Sequence, residues 1–171
     1  LRPVRPQGCT SSGRRGLNKL TALLDELGVQ VDAQLFELAF THRSFAFEHG
    51  RIPSNERLEF LGDAVLQIVV TEHIFTSFPN LAEGQLAKLR ASVVSSHALA
   101  EVARELHLGE LIRLGRGEIN TAGADKTSIL ADTMEAVIGA IHISCGAVAS
   151  SRFVHALLDE RIASSELQGH Y

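Results

Sequence analysis

The sequence predicts an all-α protein, and three observations carry that prediction. Apolar residues recur at spacings of three and four along most of the chain from Leu17 onward. No segment shows the alternating pattern of a half-buried strand. Gly and Pro fall at regular interruptions between the periodic segments, and no internal repeat is present. A length of 171 residues, with 45% hydrophobic and 21% charged residues, fits one globular domain with a short extension.

Residues 1–16 are rich in Arg, Gly, Pro and Ser, carry no apolar period, and read as a flexible basic arm. The chain opens at Leu1 and not Met, which fits a fragment. Being Arg-rich and acid-free, the arm also fits the remnant of an organelle transit peptide, and it lacks the apolar core of a secretory signal. Leu17, Leu20, Leu23, Leu24 and Leu27 then form the apolar face of a first helix, stopped by Gly28. Asp32 to Phe40 predicts a short second helix, and segment 41–53 runs into Gly50 and Pro53. Ser54 or Asn55 can cap a long helix that reaches about Phe78 before Pro79-Asn80 breaks it. Later helices are expected over 82–95, 96–107, 126–144 and 147–162. Residues 109–125, punctuated by Gly109, Gly115, Gly117 and Gly123, read as a long functional loop. The domain is thus expected over 17–163, followed by a polar tail, 164–171.

The net charge of −4 hides an asymmetry. Positions 1–20 carry five basic residues and no acid, whereas 21–171 carry 11 basic and 20 acidic residues, a net −9. An acidic body binds a polyanion only if its carboxylates hold metal or its basic side chains gather on one face. With 5% aromatic residues and no Trp, base-stacking platforms are disfavoured. No contiguous run of about 18 apolar residues exists, so no membrane association is expected. Cys9 and Cys145 are too few for a disulfide scaffold, and a reducing compartment follows. The expected location is cytoplasmic, or organellar if the arm is a transit remnant.

At 100° per residue, Leu58, Leu61, Val65 and Ile68 form an apolar stripe on the long helix. Glu56, Glu59 and Asp63 fall together on the opposite side, and Gly62 lies between the two sectors. Gly costs about 1 kcal/mol relative to Ala in a helix interior, so its presence there predicts close approach of another backbone or a ligand. The helix beginning near Lys126 repeats the arrangement. Leu130, Met134, Val137, Ile138 and Ile141 cluster on one face; Asp132 and Glu135 lie opposite, with Gly139 on their side. Solvated helix faces would explain one such helix. Two are harder to explain, because Asp is a poor helix-interior residue and neither Asp63, Asp132, Glu59 nor Glu135 has Lys or Arg at i±3 or i±4. If the acidic faces meet, repulsion raises some pKa values unless a cation sits between them. Oxygen ligands alone select Mg²⁺ or Mn²⁺ over zinc.

Competing chemistries lack their residues. No Glu-x-x-His pair supports a di-iron site. The eight histidines form no HExxH motif or tight cluster and read as surface or core positions. There is no G-x-S-x-G, and Cys145 sits in an apolar run. Metal-assisted phosphoryl transfer remains.

Asn55-Glu56-Arg57-Leu58-Glu59-Phe60-Leu61-Gly62-Asp63-Ala64 resembles the signature of the ribonuclease III nuclease domain. Thr41-His42-Arg43-Ser44-Phe45 resembles the family's upstream motif, and Glu83-Gly84 with Leu86, Leu89, Arg90 and Ala91 the middle one. Lys126, Ser128 to Asp132, Glu135-Ala136 and Gly139-Ala140-Ile141 resemble the downstream metal-ligand helix. The motifs follow in order from about Leu17 to Leu158.

The resemblance implies an all-helical bundle, homodimeric, that cleaves double-stranded RNA with Mg²⁺ (Mn²⁺ as substitute), leaving 5′-phosphate and 3′-hydroxyl ends, in RNA processing such as that of rRNA precursors. It implies that Glu59, Asp63, Asp132 and Glu135 are the catalytic, metal-holding acids. Glu56 and Glu83 correspond to further acids near the catalytic valley and subunit junction, and Phe60 resembles an aromatic knob entering the partner subunit. Family members of the common bacterial type continue into a double-stranded-RNA-binding domain, whereas this sequence ends at Tyr171 after a polar tail, so a further domain or a protein partner is expected to add affinity. RNA contacts are expected from Arg113, Arg116 and Lys126 around the long loop, from Lys88 and Arg90, and from the arm. The alternative is a non-catalytic, dimeric double-stranded-RNA-binding or ribosome-associated scaffold of the same fold; such members usually lose the acids, and here all four are present.

Overall fold

The computed structural model describes residues 18–168; the expected basic arm with Cys9, and the last three residues of the tail, lie outside the described residues. Helix starts follow local hydrogen bonding. Asn18 Oδ1 accepts from Leu20 N (2.9 Å) to open α1 (Lys19–Glu26), and Gly28 ends that segment at φ +67°. Asp32 Oδ1 accepts from Gln34 N and Leu35 N, both at 3.0 Å, and opens α2 (Ala33–Ala39). His42 opens α3 (Arg43–Glu48), then comes α4 (Glu56–Ser77). Gln85 Oε1 accepts from Ala82 N (3.0 Å) at the start of α5 (Glu83–Val94), and Ser95 Oγ accepts from Ala98 N (3.1 Å) at the start of α6 (Ser96–Glu105). A short α7 (Arg116–Asn120) lies between two 3₁₀ turns, Leu108–Leu111 and Gly123–Asp125. Last come α8 (Thr127–Cys145), ended by Gly146 at φ +91°, and α9 (Ala147–Gln168).

The all-α expectation holds: among the described residues no β-strand forms, and one parallel bridge joins Thr41 to Arg113. Segment 41–53, for which the sequence predicted no element, contains α3, whose six residues are too short to show a period and whose cap is a histidine. Four local expectations are corrected. Residues 109–125 are folded into turns and α7, not left as an open loop. Asn55 caps nothing with its side chain; it is 3% exposed, and its Nδ2 donates to Ala39 O (3.0 Å), tying α4 to the end of α2. Ile68, expected in the buried stripe, is 54% exposed, while Leu66, Val70 and Ile74 are buried instead. Helix α9 also runs past its expected end at 162.

Helix α8 is the centre, packed chiefly on α4 and also on α6, α9 and α2. Its mean hydropathy of 1.3 and its length match those of a membrane span, and 61% of that apolar window is buried by the other helices. Leu58, Val65, Leu66, Val70 and Ile74 of α4 share one core with Leu130, Met134, Val137, Ile138 and Ile141 of α8. The two backbones meet at the predicted glycines. A Cβ on Gly62 would lie 1.6 Å from Glu135 O, and one on Gly139 would lie 2.3 Å from Leu58 O. Any side chain there forces α4 and α8 apart.

Candidate active site and metal centre

That crossing sets the acids face to face. Glu59 and Asp63 of α4 meet Asp132 and Glu135 of α8 as two couples, Glu59 with Asp132 and Asp63 with Glu135, each within carboxyl–carboxyl hydrogen-bonding reach. They line a seam and are not one knot: no three of them bring ligand atoms within 4.8 Å of one another. Burial is the first cause of the pKa shifts. It pushes Glu135 up to about 9, aided by its contact with Asp63 and by the charges of Asp63, Glu59 and Asp132. Glu59 rises to about 7 through burial and the charge and contact of Asp132. Burial also raises Asp132, opposed by Glu59's hydrogen bond and the charges of His42 and Arg43. Carboxylates pressed together this way favour either a proton or a metal cation between them.

Glu59 and Asp132 open into a cleft of about 480 Å³, lined also by His42, Arg43, Glu56, Glu118, Lys126 and Ser128. The upstream motif builds the opposite wall. His42 Nδ1 accepts from Ser44 N (3.1 Å) and contacts Ser44 Oγ (2.7 Å), while Ser44 Oγ accepts from Gly115 N (2.8 Å). The accepting role of Nδ1 puts the ring proton on Nε2. Burial, opposed by Glu118, Asp132 and Glu56 and assisted by Arg43, lowers the His42 pKa. Arg43 is exposed at the rim. Lys126 Nζ donates to Glu118 Oε2 (2.8 Å) and Thr121 Oγ1 (2.9 Å), a pair that anchors α7 to the start of α8. Sequence reasoning missed Arg43, Glu118 and Ser128 as cleft residues and left His42 without a role. The motif Thr41–Ser44 held the signal, and the distance from Ser44 to Gly115 along the chain concealed its partner.

The other expected positions are scattered. Glu56 lies at the cleft rim, accepting from Ser54 Oγ (3.1 Å). Phe60 is 83% exposed on the outer face of α4. Glu83 and Arg90 line a separate 250 Å³ hollow with Thr71 and Phe75, and Arg90 Nη1 donates to Thr71 Oγ1 (3.0 Å). Lys88 is exposed on α5 and Arg116 on α7, neither lining the acid cleft. Arg113 is committed internally: it pairs with Glu37 (2.8 Å), donates to Thr41 Oγ1, and lies 4.5 Å over the Phe45 ring.

The helical fold has solved counterparts. The nuclease domain of ribonuclease III from Campylobacter jejuni is 40% identical, with a TM-score of 0.75 over 85% of this chain and 97% of that one. The model of the Ribonuclease-III-like family matches residues 32–161, so the chain belongs to that family. Ribonuclease 3 of Streptomyces coelicolor is 57% identical over 149 residues, and that of Thermobifida fusca 55% over 139. Those alignments cover 87% and 81% of this chain but 54% and 58% of the relatives, so the chain spans little more than half their length.

Proposed function

We propose that this chain is the nuclease portion of a Mg²⁺-dependent endoribonuclease that hydrolyses double-stranded RNA as a homodimer, leaving 5′-phosphate and 3′-hydroxyl ends. The observation that carries the reading is the seam itself, with two carboxylate couples held in contact at the Gly62–Gly139 crossing. Its donors are oxygens alone, which fits a hard divalent cation. Glu59, Asp63, Asp132 and Glu135 would hold Mg²⁺, or Mn²⁺ in its place. When bound, such an ion supplies Lewis-acid polarisation of the scissile phosphate and a more acidic attacking water.

The chain's own residues do the rest. Arg43 at the rim and the Nε2–H of neutral His42 offer donors to phosphate oxygens entering the cleft. Glu118 holds the Lys126 ammonium at the wall in an internal ion pair. The exposed stripe on α4 supports the dimer. Phe60, Ile68 and Phe75 are 83%, 54% and 71% exposed, and their spacing places them within a sector of about 80°. A two-fold dimer through this face presents two seams, one for each strand of a duplex.

The test is cleavage of a long RNA duplex at low salt. Parent protein with Mg²⁺ or Mn²⁺ is expected to yield 5′-phosphorylated products, with Glu135→Ala reducing the rate at least about 100-fold. A gel shift of the duplex with no product in either metal favours the scaffold alternative, and equal cleavage by Glu135→Ala removes the seam from the reaction.

A further inference from the structure

A second set of ligand-type side chains lies away from the acid seam. His73, near the C-terminal end of α4, meets His155 and Asp159 of α9, and one ligand atom from each lies within 4.8 Å of the others. His73 is ten residues beyond Asp63, about 15 Å further along the helix. None of the three lines the acid cleft.

We propose that His73, His155 and Asp159 form a binding site for a borderline transition-metal ion, Zn²⁺ foremost, that clamps α9 onto α4. His155 and Asp159 stand at i and i+4 and so share one face of α9, with His155 Nδ1 2.8 Å from Asp159 Oδ1. His73 Nε2 approaches the same oxygen at 3.7 Å, too far for a hydrogen bond, and it makes none elsewhere among the described residues. Ligand atoms of a tetrahedral zinc ion at its usual bond lengths are about 3.3 Å apart. The two separations to Asp159 Oδ1 bracket that value, and the His73 and His155 ligand nitrogens lie within 4.8 Å of each other. The imidazole rings meet edge to face, 5.0 Å apart at 73°, and are not stacked.

Donor chemistry separates this site from the seam. Two imidazole nitrogens and one carboxylate suit Zn²⁺, Co²⁺ or Ni²⁺, whereas Mg²⁺ prefers the all-oxygen seam. The side chains of His73, His155 and Asp159 are 26%, 36% and 46% exposed, which leaves an entry path and a fourth position for water. Two other histidines, His97 and His107, pair with Glu101 and Glu110 on their own segments. Neither has a third ligand from another helix, and that third ligand sets the α4–α9 site apart.

The experiment uses the whole 171-residue chain, stripped with EDTA and kept in saturating Mg²⁺ so that the seam is occupied. Zn²⁺ is titrated by calorimetry and Co²⁺ by visible absorption. One Zn²⁺ per chain, intense tetrahedral Co²⁺ bands, and a Tm rise of about 5–10 °C at hundredfold excess over Kd are expected. Glu135→Gln should retain all three signals; His73→Gln and His155→Gln should each weaken Zn²⁺ binding at least about tenfold. Movement of the His73 and His155 ring resonances of the parent on adding Zn²⁺ gives a readout that needs no variant. Absence of binding, unmoved ring resonances, or binding lost in Glu135→Gln and kept in His73→Gln would overturn the site.

Discussion

Glu135 is a half-buried carboxyl facing Asp63 across the helix crossing, and its pKa of about 9 has a direct thermodynamic consequence. In the unfolded chain it titrates near the ordinary glutamate value of 4.5. Between those values the metal-free native state holds a proton that the unfolded state has shed, so stability falls as pH rises through the window. Glu59, raised to about 7, adds to the slope in its lower half. Glu135→Gln removes the loss. Since solvent reaches part of the site and screens it, the metal-free variant is expected to be more stable than the parent by about 1–2 kcal/mol at pH 8. At pH 4.5 the two should melt together, and saturating Mg²⁺ at pH 8 should reverse the order. Urea melts in EDTA and in Mg²⁺ check all three. The four acids were legible at this scale because helical spacing alone isolates them from local counter-ions. The roles of Asn55 and Arg113 were not, since both bond to partners distant in sequence, Ala39 for one and Glu37 and Thr41 for the other.

Between elements, the α4–α8 crossing decides whether the seam exists. Helix propensity alone favours Ala over Gly by about 1 kcal/mol, so Gly62→Ala would stabilise an isolated helix. Here the new Cβ would lie 1.6 Å from a backbone oxygen that no rotamer change can move. The clash wins, and Gly62→Ala is expected to cost about 3 kcal/mol net, a Tm loss of roughly 6–12 °C by calorimetry. Gly84→Ala on α5 is the control: it meets open space and should gain up to about 1 kcal/mol. The long helices and the purpose of Gly62 were readable because a 3.6-residue period needs several turns to show itself. Helices α3 and α7, of six and five residues, fall below that length and exist through tertiary bonds such as Ser44 Oγ to Gly115 N and Glu48 Oε1 to Arg116 N. Sequence could supply the residues of that wall but not their pairing.

For the molecule as a whole, the proposed function asks an acidic body to face a polyanion, and four of its cations are paired internally. Arg113 pairs with Glu37, Arg161 with Glu101 and Glu105, Arg104 with Asp125, and Lys126 with Glu118. The other eight basic residues described, Arg43 and Arg116 among them, have no acidic partner among the described residues, and a shared dimer surface would add the partner's set. If the α4 stripe is that surface, Phe60→Glu together with Ile68→Glu should convert the dimer to monomer in sedimentation while helical content stays unchanged. A stably dimeric double variant would move the interface elsewhere. Phe60's exposure agrees with the place the family resemblance gave it outside the core; Ile68 was misplaced in the core because the wheel fixes which residues share a face and not which neighbour covers it.

The central claim is that Glu59, Asp63, Asp132 and Glu135 act together as one seam for a hard divalent ion. Mn²⁺ titration of the metal-free chain, followed by the electron paramagnetic resonance signal of the free ion, tests it most directly. Parent protein should deplete the free signal with affinity that rises between pH 6 and 9 as the carboxyls release their protons. The Asp63→Asn, Asp132→Asn double variant, with folding confirmed by circular dichroism, should leave the free signal undiminished. Equal Mn²⁺ uptake by parent and double variant would contradict the account.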